Sequence, residues 1–123
     1  HNIGIIARVP LDEGGLVGNF TKDTTFESGD FRSRYFSKNR LKELVKRTDK
    51  LKELLDGEAK TLVELDLRYL LSFDALSTII PGMRRIKNVE ANTAVSDGKL
   101  LSSELMEKLK LHAWERNFYL SES

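Results

Sequence analysis

The stretch Leu76–Asn92, with the sequence LSTIIPGMRRIKNVEAN, decides the fold that this chain is predicted to have. Its apolar and β-branched beginning predicts a strand over residues 76–80, and the Pro81-Gly82 pair predicts a tight turn. The segment after the turn predicts a helix over roughly residues 86–96. The chain is therefore predicted to form a strand, a turn and a helix, in that order, over this stretch.

The turn after this strand is suited to an anion. Backbone N–H groups at the start of a helix have no partner within the helix and carry the positive end of its dipole. Three cationic side chains lie beside that start, namely Arg84, Arg85 and Lys87. A phosphate is the natural ligand for such a corner.

A second informative stretch is Ile3–Gly18, with the sequence IGIIARVPLDEGGLVG. Residues 3–9 are apolar on both alternating faces apart from Gly4 and Arg8, which favours a parallel strand buried on both sides. Pro10 ends that strand. Three glycines follow, and they are compatible both with a plain connection and with a loop whose backbone approaches a phosphate closely.

The two stretches together resemble the aldo-keto reductase family. The pattern Ile-Pro-Gly-x-Arg that starts at Ile80, with Asn92 eight residues after the Arg, is similar to the corner that follows the last strand of that family. In the family this corner binds the adenosine 2′-phosphate and the adenine of NADP(H). The pattern Pro-Leu-x-x-Gly-x-Leu that starts at Pro10 is similar to the turn after the seventh strand, which passes under the cofactor pyrophosphate.

The resemblance implies a cofactor site of nine residues. It assigns Pro10 and Leu11 to the pyrophosphate turn, Asn19 and Arg32 to further phosphate contacts, Gly82, Met83 and Arg84 to the 2′-phosphate, Asn88 to the same group, and Asn92 to the adenine. An ordinary surface position is equally compatible with Arg32, and a salt bridge from Asp30 would hold it in place.

Three positions depart from the family pattern. Val9 stands where many members carry Ser, and Ala91 stands where many carry Glu. Gly82 takes the place of a Lys found in some members, and Arg84 restores the charge. With the charge of Arg84 at this corner, the pattern stays compatible with NADP as the cofactor implied by the resemblance, and the choice between NADP and NAD stays open.

The implied fold class is α/β, a C-terminal fragment of a (β/α)8 TIM barrel that is rich in helix, with two parallel strands and about four helices. We expect residues 1–123 to form a single partial domain. Apolar residues at three- and four-residue steps predict a helix from Lys38 to about Gly57, and Thr61 and Ser102 are predicted to cap two further helices. Because two strands leave sheet edges unpaired, we expect the chain to be partly open, self-associated or domain-swapped.

The functional hypotheses follow from the resemblance. Family members pass hydride from a nicotinamide to a carbonyl, while a Tyr with Lys, Asp and His nearby supplies the proton. Those four residues belong to strands two to four of the barrel, so none is assigned to this chain. The first hypothesis is the cofactor-binding part of an NADP(H)-dependent enzyme that reduces aldehydes or ketones. The alternatives are a non-catalytic NADP-binding or protein-interaction module like the potassium-channel β-subunits, and an independent anion-binding domain.

The start of the chain bears on these hypotheses. It begins at His1, and a strand pattern starts two residues later. We therefore expect a fragment of a longer protein, and we expect the isolated chain not to reduce a carbonyl.

The composition excludes several other classes. Twenty basic residues nearly balance nineteen acidic ones, so neither a nucleic-acid partner nor a membrane partner is expected. The chain has no cysteine and only two histidines, which argues against a disulfide framework and against a zinc or iron site. We expect a cytoplasmic location.

Overall fold

The computed structural model describes residues 2–114, 118 and 119. Over this part of the chain, the elements in order are β1 (Ile6–Arg8), a 3-10 helix (Asp12–Val17), α1 (Arg32–Tyr35), α2 (Lys38–Lys52), α3 (Leu62–Leu71), β2 (Thr78–Ile80), α4 (Ile86–Ala94) and α5 (Ser103–Lys110). The predicted helix-rich α/β class with two parallel strands is confirmed. The described residues form five α-helices where about four were expected. The additional helix is α1, which has only 4 residues.

The two strands pair in parallel with a defined register. Ile6 lies opposite Thr78, Ala7 opposite Ile79 and Arg8 opposite Ile80. Both strands are shorter than predicted. Val9 has a φ of 54°, which takes the chain out of the extended conformation after β1. At the other end, the N–H of Ile5 donates to the Ser77 hydroxyl at 3.0 Å, while the Ile5 carbonyl accepts from the backbone N–H groups of Ser77 and Thr78.

Side-chain hydroxyls cap the starts of α2, α3 and α5. The Thr61 hydroxyl accepts from the N–H of Glu64 at 3.1 Å, and the Ser102 hydroxyl accepts from the N–H of Leu105 at 3.2 Å. Both predicted caps are therefore confirmed. α2 ends at Lys52, five residues before the predicted end, because the next three N–H groups bond to carbonyls three residues back and tighten the chain.

Two apolar clusters hold the helices and the long loop together. The first joins α3 to α5 and to the chain before α3, and its buried members are Ala59, Leu62, Leu65, Leu101 and Leu105. The second is largely aromatic and pins the loop that precedes α2, as predicted; its buried members are Tyr35, Phe36, Leu41 and Leu44, with Phe20 and Phe26 packed against them.

A buried arginine ties α3 to the turn after α4. The Arg68 guanidinium bonds to the carboxylates of Glu64 and Asp97 and donates to the carbonyl of Lys99 at 2.7 Å. These bonds to carboxylates raise its pKa and lower that of Asp97. This network fixes the position of α4 relative to α3.

The strands expose apolar side chains that were predicted to be buried. Ile6 is 62% exposed and Ile80 is 57% exposed. Within the described residues β1 and β2 form a two-stranded sheet, so each strand has one edge without a neighbour. Burial on both faces is thus absent here because the described residues supply neither further strands nor a full covering layer.

Candidate functional site

A groove lies at the carboxyl ends of both strands. One wall is the turn that follows β1, and the other is the Pro-Gly corner that follows β2. Seven of the nine predicted site residues line it: Pro10, Leu11, Asn19, Arg32, Gly82, Arg84 and Asn88. Residues that are about 70 positions apart in sequence are therefore brought together by the pairing of β1 with β2.

The other two predicted residues lie outside the groove lining. Met83 is 42% exposed at the corner. Asn92 is buried, and its Nδ2 donates to the carbonyl oxygen of Gly82 at 3.1 Å. The hydrogen bond gives Asn92 a structural role in holding the corner, and its contact with adenine stays a prediction.

The turn after β1 is held in an unusual backbone conformation. Val9, Asp12 and Glu13 all have positive φ, at 54°, 49° and 53°. Such non-glycine residues cost free energy and are concentrated at functional sites. Hydrogen bonds within the turn hold this shape, since the N–H groups of Gly14 and Leu16 both donate to the carbonyl of Leu11 at 2.9 and 3.2 Å.

Close packing under this turn requires glycine. A Cβ added at Gly18 would lie 2.7 Å from Leu62 Cδ1, and Gly18 has a φ of 79°. A Cβ added at Gly15 would lie 2.8 Å from Leu44 Cδ2. The glycines thus let the turn sit directly on α2 and α3.

A bidentate ion pair positions Arg32 at the groove. Its Nη2 lies 2.6 Å from Asp30 Oδ2, and its Nε donates to both oxygens of that carboxylate at 3.1 Å. The guanidinium also stacks 5.1 Å from the centre of the Phe26 ring. The predicted salt bridge between Asp30 and Arg32 is therefore confirmed.

The charge of Arg84 reaches the same carboxylate from the opposite wall. Hydrogen bonds from the Arg32 side chain and backbone N–H lower the pKa of Asp30 to about 2, and the charges of Arg32 and Arg84 add to this effect. Asp30 therefore remains ionised at neutral pH. The two walls act on each other electrostatically across the groove.

The groove as a whole favours an anion. Five cationic side chains line it (Arg8, Arg32, Arg84, Arg85 and Lys87), against two carboxylates (Glu13 and Asp30). The start of α4 adds unpaired N–H groups, because its N-cap Arg85 makes no side-chain capping bond. A ligand with more than one phosphate matches this distribution of charge.

Sequence reasoning missed two features of the groove. Arg8 lines it, although it was treated only as an exception in an apolar strand. Phe31 also lines the groove, and its ring stacks on Tyr119 with centroids 6.1 Å apart. The available signal for Arg8 was its position at the end of β1, just before the turn that the family resemblance assigns to the cofactor pyrophosphate.

Trp114 was predicted to have a packing role. The guanidinium of Arg47 lies 4.3 Å from the centre of its ring, and the ring packs edge-on against Phe118. This agrees with the prediction. The rest of the predicted tail, residues 115–117, lies outside the described residues.

The described part of the chain was also searched for metal-ligand clusters and for helices that could span a membrane. Residues 2–114, 118 and 119 contain no group of three or more His, Cys, Asp or Glu side chains placed to hold a metal ion. Within the same residues, every helix is too short or too polar to cross a bilayer.

The described residues thus combine two parallel strands with a cationic groove at their carboxyl ends, the edge of the sheet at which α/β proteins place their ligand sites. The model of the aldo/keto reductase family matches residues 1–113. The chain therefore belongs to the aldo/keto reductase family, as the two sequence patterns predicted.

Two relatives share most of this chain. It is 28% identical over 111 residues to the aldo-keto reductase str7 of Strobilurus tenacellus, an alignment that covers 89% of this chain and 33% of the relative. It is 32% identical over 110 residues to the aldo-keto reductase yakc [NADP(+)] of Schizosaccharomyces pombe (strain 972 / ATCC 24843), covering 87% and 32%. The chain thus spans about one third of the length of these relatives.

A solved structure shares the fold. The glycerol dehydrogenase AKR11B4 from Gluconobacter oxydans superposes with a TM-score of 0.78 at 24% sequence identity, and the match covers 91% of this chain and 34% of that one. The predicted fold class, a fragment of an aldo-keto reductase TIM barrel, is therefore confirmed.

Proposed function

We propose that this chain is the C-terminal, cofactor-binding part of an NADP(H)-dependent aldo-keto reductase that reduces aldehydes or ketones. The observation that carries the proposal is the single groove in which the turn after β1 and the corner after β2 face each other. These are the two elements to which the family resemblance assigns the pyrophosphate and the 2′-phosphate. The relative named for NADP(+) supports the choice of cofactor.

The residues of the groove fit such a cofactor. The groove has a volume of about 1120 Å³, which is slightly above the usual range of small-molecule sites and leaves room for a dinucleotide. Five cationic side chains line it, which suits a ligand with three phosphate groups. Gly82 has open space around its Cβ position, so the corner leaves room beside the proposed 2′-phosphate.

Each wall has its own task in this proposal. The Arg84 guanidinium forms a planar fork that bonds two phosphate oxygens at once, and Asn88 donates from the first turn of α4. Arg32, held by Asp30, neutralises the pyrophosphate from the loop side. The turn at Pro10 and Leu11 contributes its backbone.

The chemical step belongs to the complete enzyme. Bound NADPH supplies a hydride, and this chain's residues orient the cofactor and hold its phosphates. Tyr35 is engaged elsewhere, since its hydroxyl donates to the buried Asp12 carboxylate at 2.6 Å. We expect the isolated chain to bind the cofactor without reducing a carbonyl.

The wider setting is part of the same proposal. We propose a small-molecule carbonyl substrate for the complete protein, a cytoplasmic location, and neither nucleic acid nor a membrane as a partner. The near balance of twenty basic and nineteen acidic residues supports the expectation that neither nucleic acid nor a membrane is a partner.

The direct test is binding of NADPH to the chain, measured by isothermal titration calorimetry. Arg84→Ala should weaken NADPH binding about 10- to 100-fold, because a charge-assisted bidentate contact is lost. It should weaken NADH binding far less. The matched control is Arg34→Ala, which removes an exposed arginine outside the groove lining and should leave both affinities unchanged. Equal NADPH affinity in the Arg84 variant and the parent chain would contradict the proposal.

A further inference from the structure

A buried hydrogen bond joins the turn after β1 to the short helix α1. The Tyr35 hydroxyl donates to Asp12 Oδ1 at 2.6 Å, between residues that are 23 positions apart in sequence. Both residues are buried, so water has little access to this bond. A short bond to a carboxylate in such surroundings is stronger than an exposed one, and it fixes the two elements relative to each other.

The two ends of this bond stand next to groove residues. Asp12 follows Leu11 of the pyrophosphate turn, and the N–H of Asp12 closes that turn by donating to the Val9 carbonyl at 3.0 Å. Tyr35 is the last residue of α1, and Arg32 is the first. A single helical turn therefore connects the Tyr35 hydroxyl to the arginine that lines the groove.

A second tyrosine contacts the same turn. The Tyr119 hydroxyl donates to Glu13 Oε1 at 3.3 Å, and its ring packs edge-on against Tyr35 with the centroids 5.0 Å apart. Asp12 and Glu13 both have positive φ, which costs free energy unless surrounding contacts hold the backbone. Each of the two adjacent acidic side chains is thus held by a tyrosine from outside the turn.

We propose that Tyr35 and Asp12 form a positioning pair that sets the distance between Arg32 and the turn after β1. The inference rests on the proposed function, in which these two elements contact the cofactor pyrophosphate. Neither member of the pair lines the groove, so the pair acts through its neighbours rather than by touching the ligand. With the pair intact, the two elements already stand in place, and binding does not have to order them first.

The first test needs no ligand and follows amide hydrogen exchange by NMR. The N–H groups of Gly14 and Leu16 both donate to the Leu11 carbonyl, so they report on the shape of the turn. Tyr35→Phe keeps the ring and removes the hydroxyl, and exchange at these two amides should quicken at least about 10-fold. Asp12→Asn keeps an acceptor for the hydroxyl and tolerates positive φ, so exchange should stay within about threefold of the parent chain.

The second test separates positioning from general stability by calorimetry with two probes. Inorganic pyrophosphate is expected between Arg32 and the turn, whereas adenosine 2′-phosphate is expected at the corner after β2. Tyr35→Phe should weaken the binding of pyrophosphate and of NADPH about 10-fold, as when the binding-competent arrangement falls to about one tenth of the population. Adenosine 2′-phosphate should bind as before, because the separate bond from Asn92 to Gly82 holds that corner.

Two further variants guard against a change in folding. Tyr35→Phe takes a donor away from a buried carboxylate, which can destabilise the chain by itself. The double variant Tyr35→Phe with Asp12→Asn removes that charge as well, and it should still bind pyrophosphate weakly. Tyr69→Phe is the matched control, because Tyr69 lies on α3 outside the groove lining, and it should change neither exchange nor affinity.

The outcomes distinguish this inference from the proposed function. Unchanged exchange in Tyr35→Phe, or an equal loss of affinity for both probes, would overturn the positioning pair and leave the proposed function standing. A parent chain that binds pyrophosphate but not NADPH would contradict the proposed function alone. If the parent chain binds no pyrophosphate either, both proposals fail.

Discussion

The side-chain Nδ2 of Asn92 donates a 3.1 Å hydrogen bond to the carbonyl oxygen of Gly82, so α4 holds the start of the corner from which it emerges. Asn92 is only 6% exposed, which shields this bond from water. The bond fixes the distance between the Pro-Gly turn and the second half of α4. The basic residues between these two points, Arg84 and Arg85, are thereby kept at the groove.

Replacing Asn92 should loosen this corner. Asn92→Ala removes the donor to the carbonyl of Gly82, and because Gly82 itself is exposed we expect the free energy of unfolding to fall by about 0.5–1.5 kcal/mol in urea titrations. NADPH affinity should fall with it, because the corner loses its fixed shape. Thr93→Ala is the control, since that exposed hydroxyl bonds only to carbonyls of its own helix. An Asn92 variant as stable as the control would show that the bond does not hold the corner.

Asp66 should make stability depend on pH. Its pKa is 3.8 in the unfolded reference and about 7 in the folded chain, so the folded state retains a proton that the unfolded state has lost. The free energy of unfolding should therefore fall as pH rises from about 4 to 7, by a total of about 4 kcal/mol. Asp66→Asn should remove this slope and stabilise the chain at pH 8. Urea unfolding at pH 4.5 and 7.5 measures both effects, and an unchanged slope in the variant would rule out Asp66 as its source.

Gly18 should resist substitution more strongly than a glycine in open space. Gly18→Ala places a Cβ 2.7 Å from Leu62 at a residue with a φ of 79°, and we expect a loss of about 1–3 kcal/mol in the free energy of unfolding. Gly57→Ala is the matched control, because nothing lies within 4 Å of its Cβ position. Thermal unfolding followed by circular dichroism compares the two. Equal stability of both variants would mean that the turn does not pack on α3 as described.

The exposed strands should cause self-association, which the sequence predicted. Light scattering after size-exclusion chromatography should give a mass above 14.0 kDa that rises with concentration. Ile6→Lys puts a charge on β1 and should shift the chain toward the monomer. Leu111→Lys, at an exposed position away from the strands, should not. A compact monomer that unfolds cooperatively at every concentration would contradict this prediction.

The parts of the fold that sequence predicted well are those decided by neighbouring residues. Thr61 and Ser102 cap α3 and α5 because a hydroxyl reaches an N–H only three residues away. The salt bridge from Asp30 to Arg32 is equally local. Strand lengths were overestimated because the end of β1 depends on the φ of Val9, which no propensity specifies.

The parts that sequence did not reveal depend on residues far apart in the chain. In the sequence Asp66 is one polar residue in an apolar helix, and its raised pKa follows from burial against other elements and, to a smaller extent, from the charge of Asp12. Arg68 likewise has partners in α3 and in the turn after α4. Seven of the nine residues that the motifs singled out line one groove, because the family resemblance already carries the long-range pairing of β1 with β2.

The pairing of β1 with β2 gives the groove a thermodynamic coupling to folding. Ile5 and Ser77 are 72 positions apart in sequence and are joined by a hydrogen bond. Bringing them together costs chain entropy, which opposes the pairing of the two short strands. A ligand that touches both walls binds only after this closure, so its binding free energy is added to that of the folded state. At a concentration 100 times its dissociation constant, such a ligand stabilises the folded chain by about 2.7 kcal/mol. Ligand binding and the pairing of β1 with β2 are thus thermodynamically coupled.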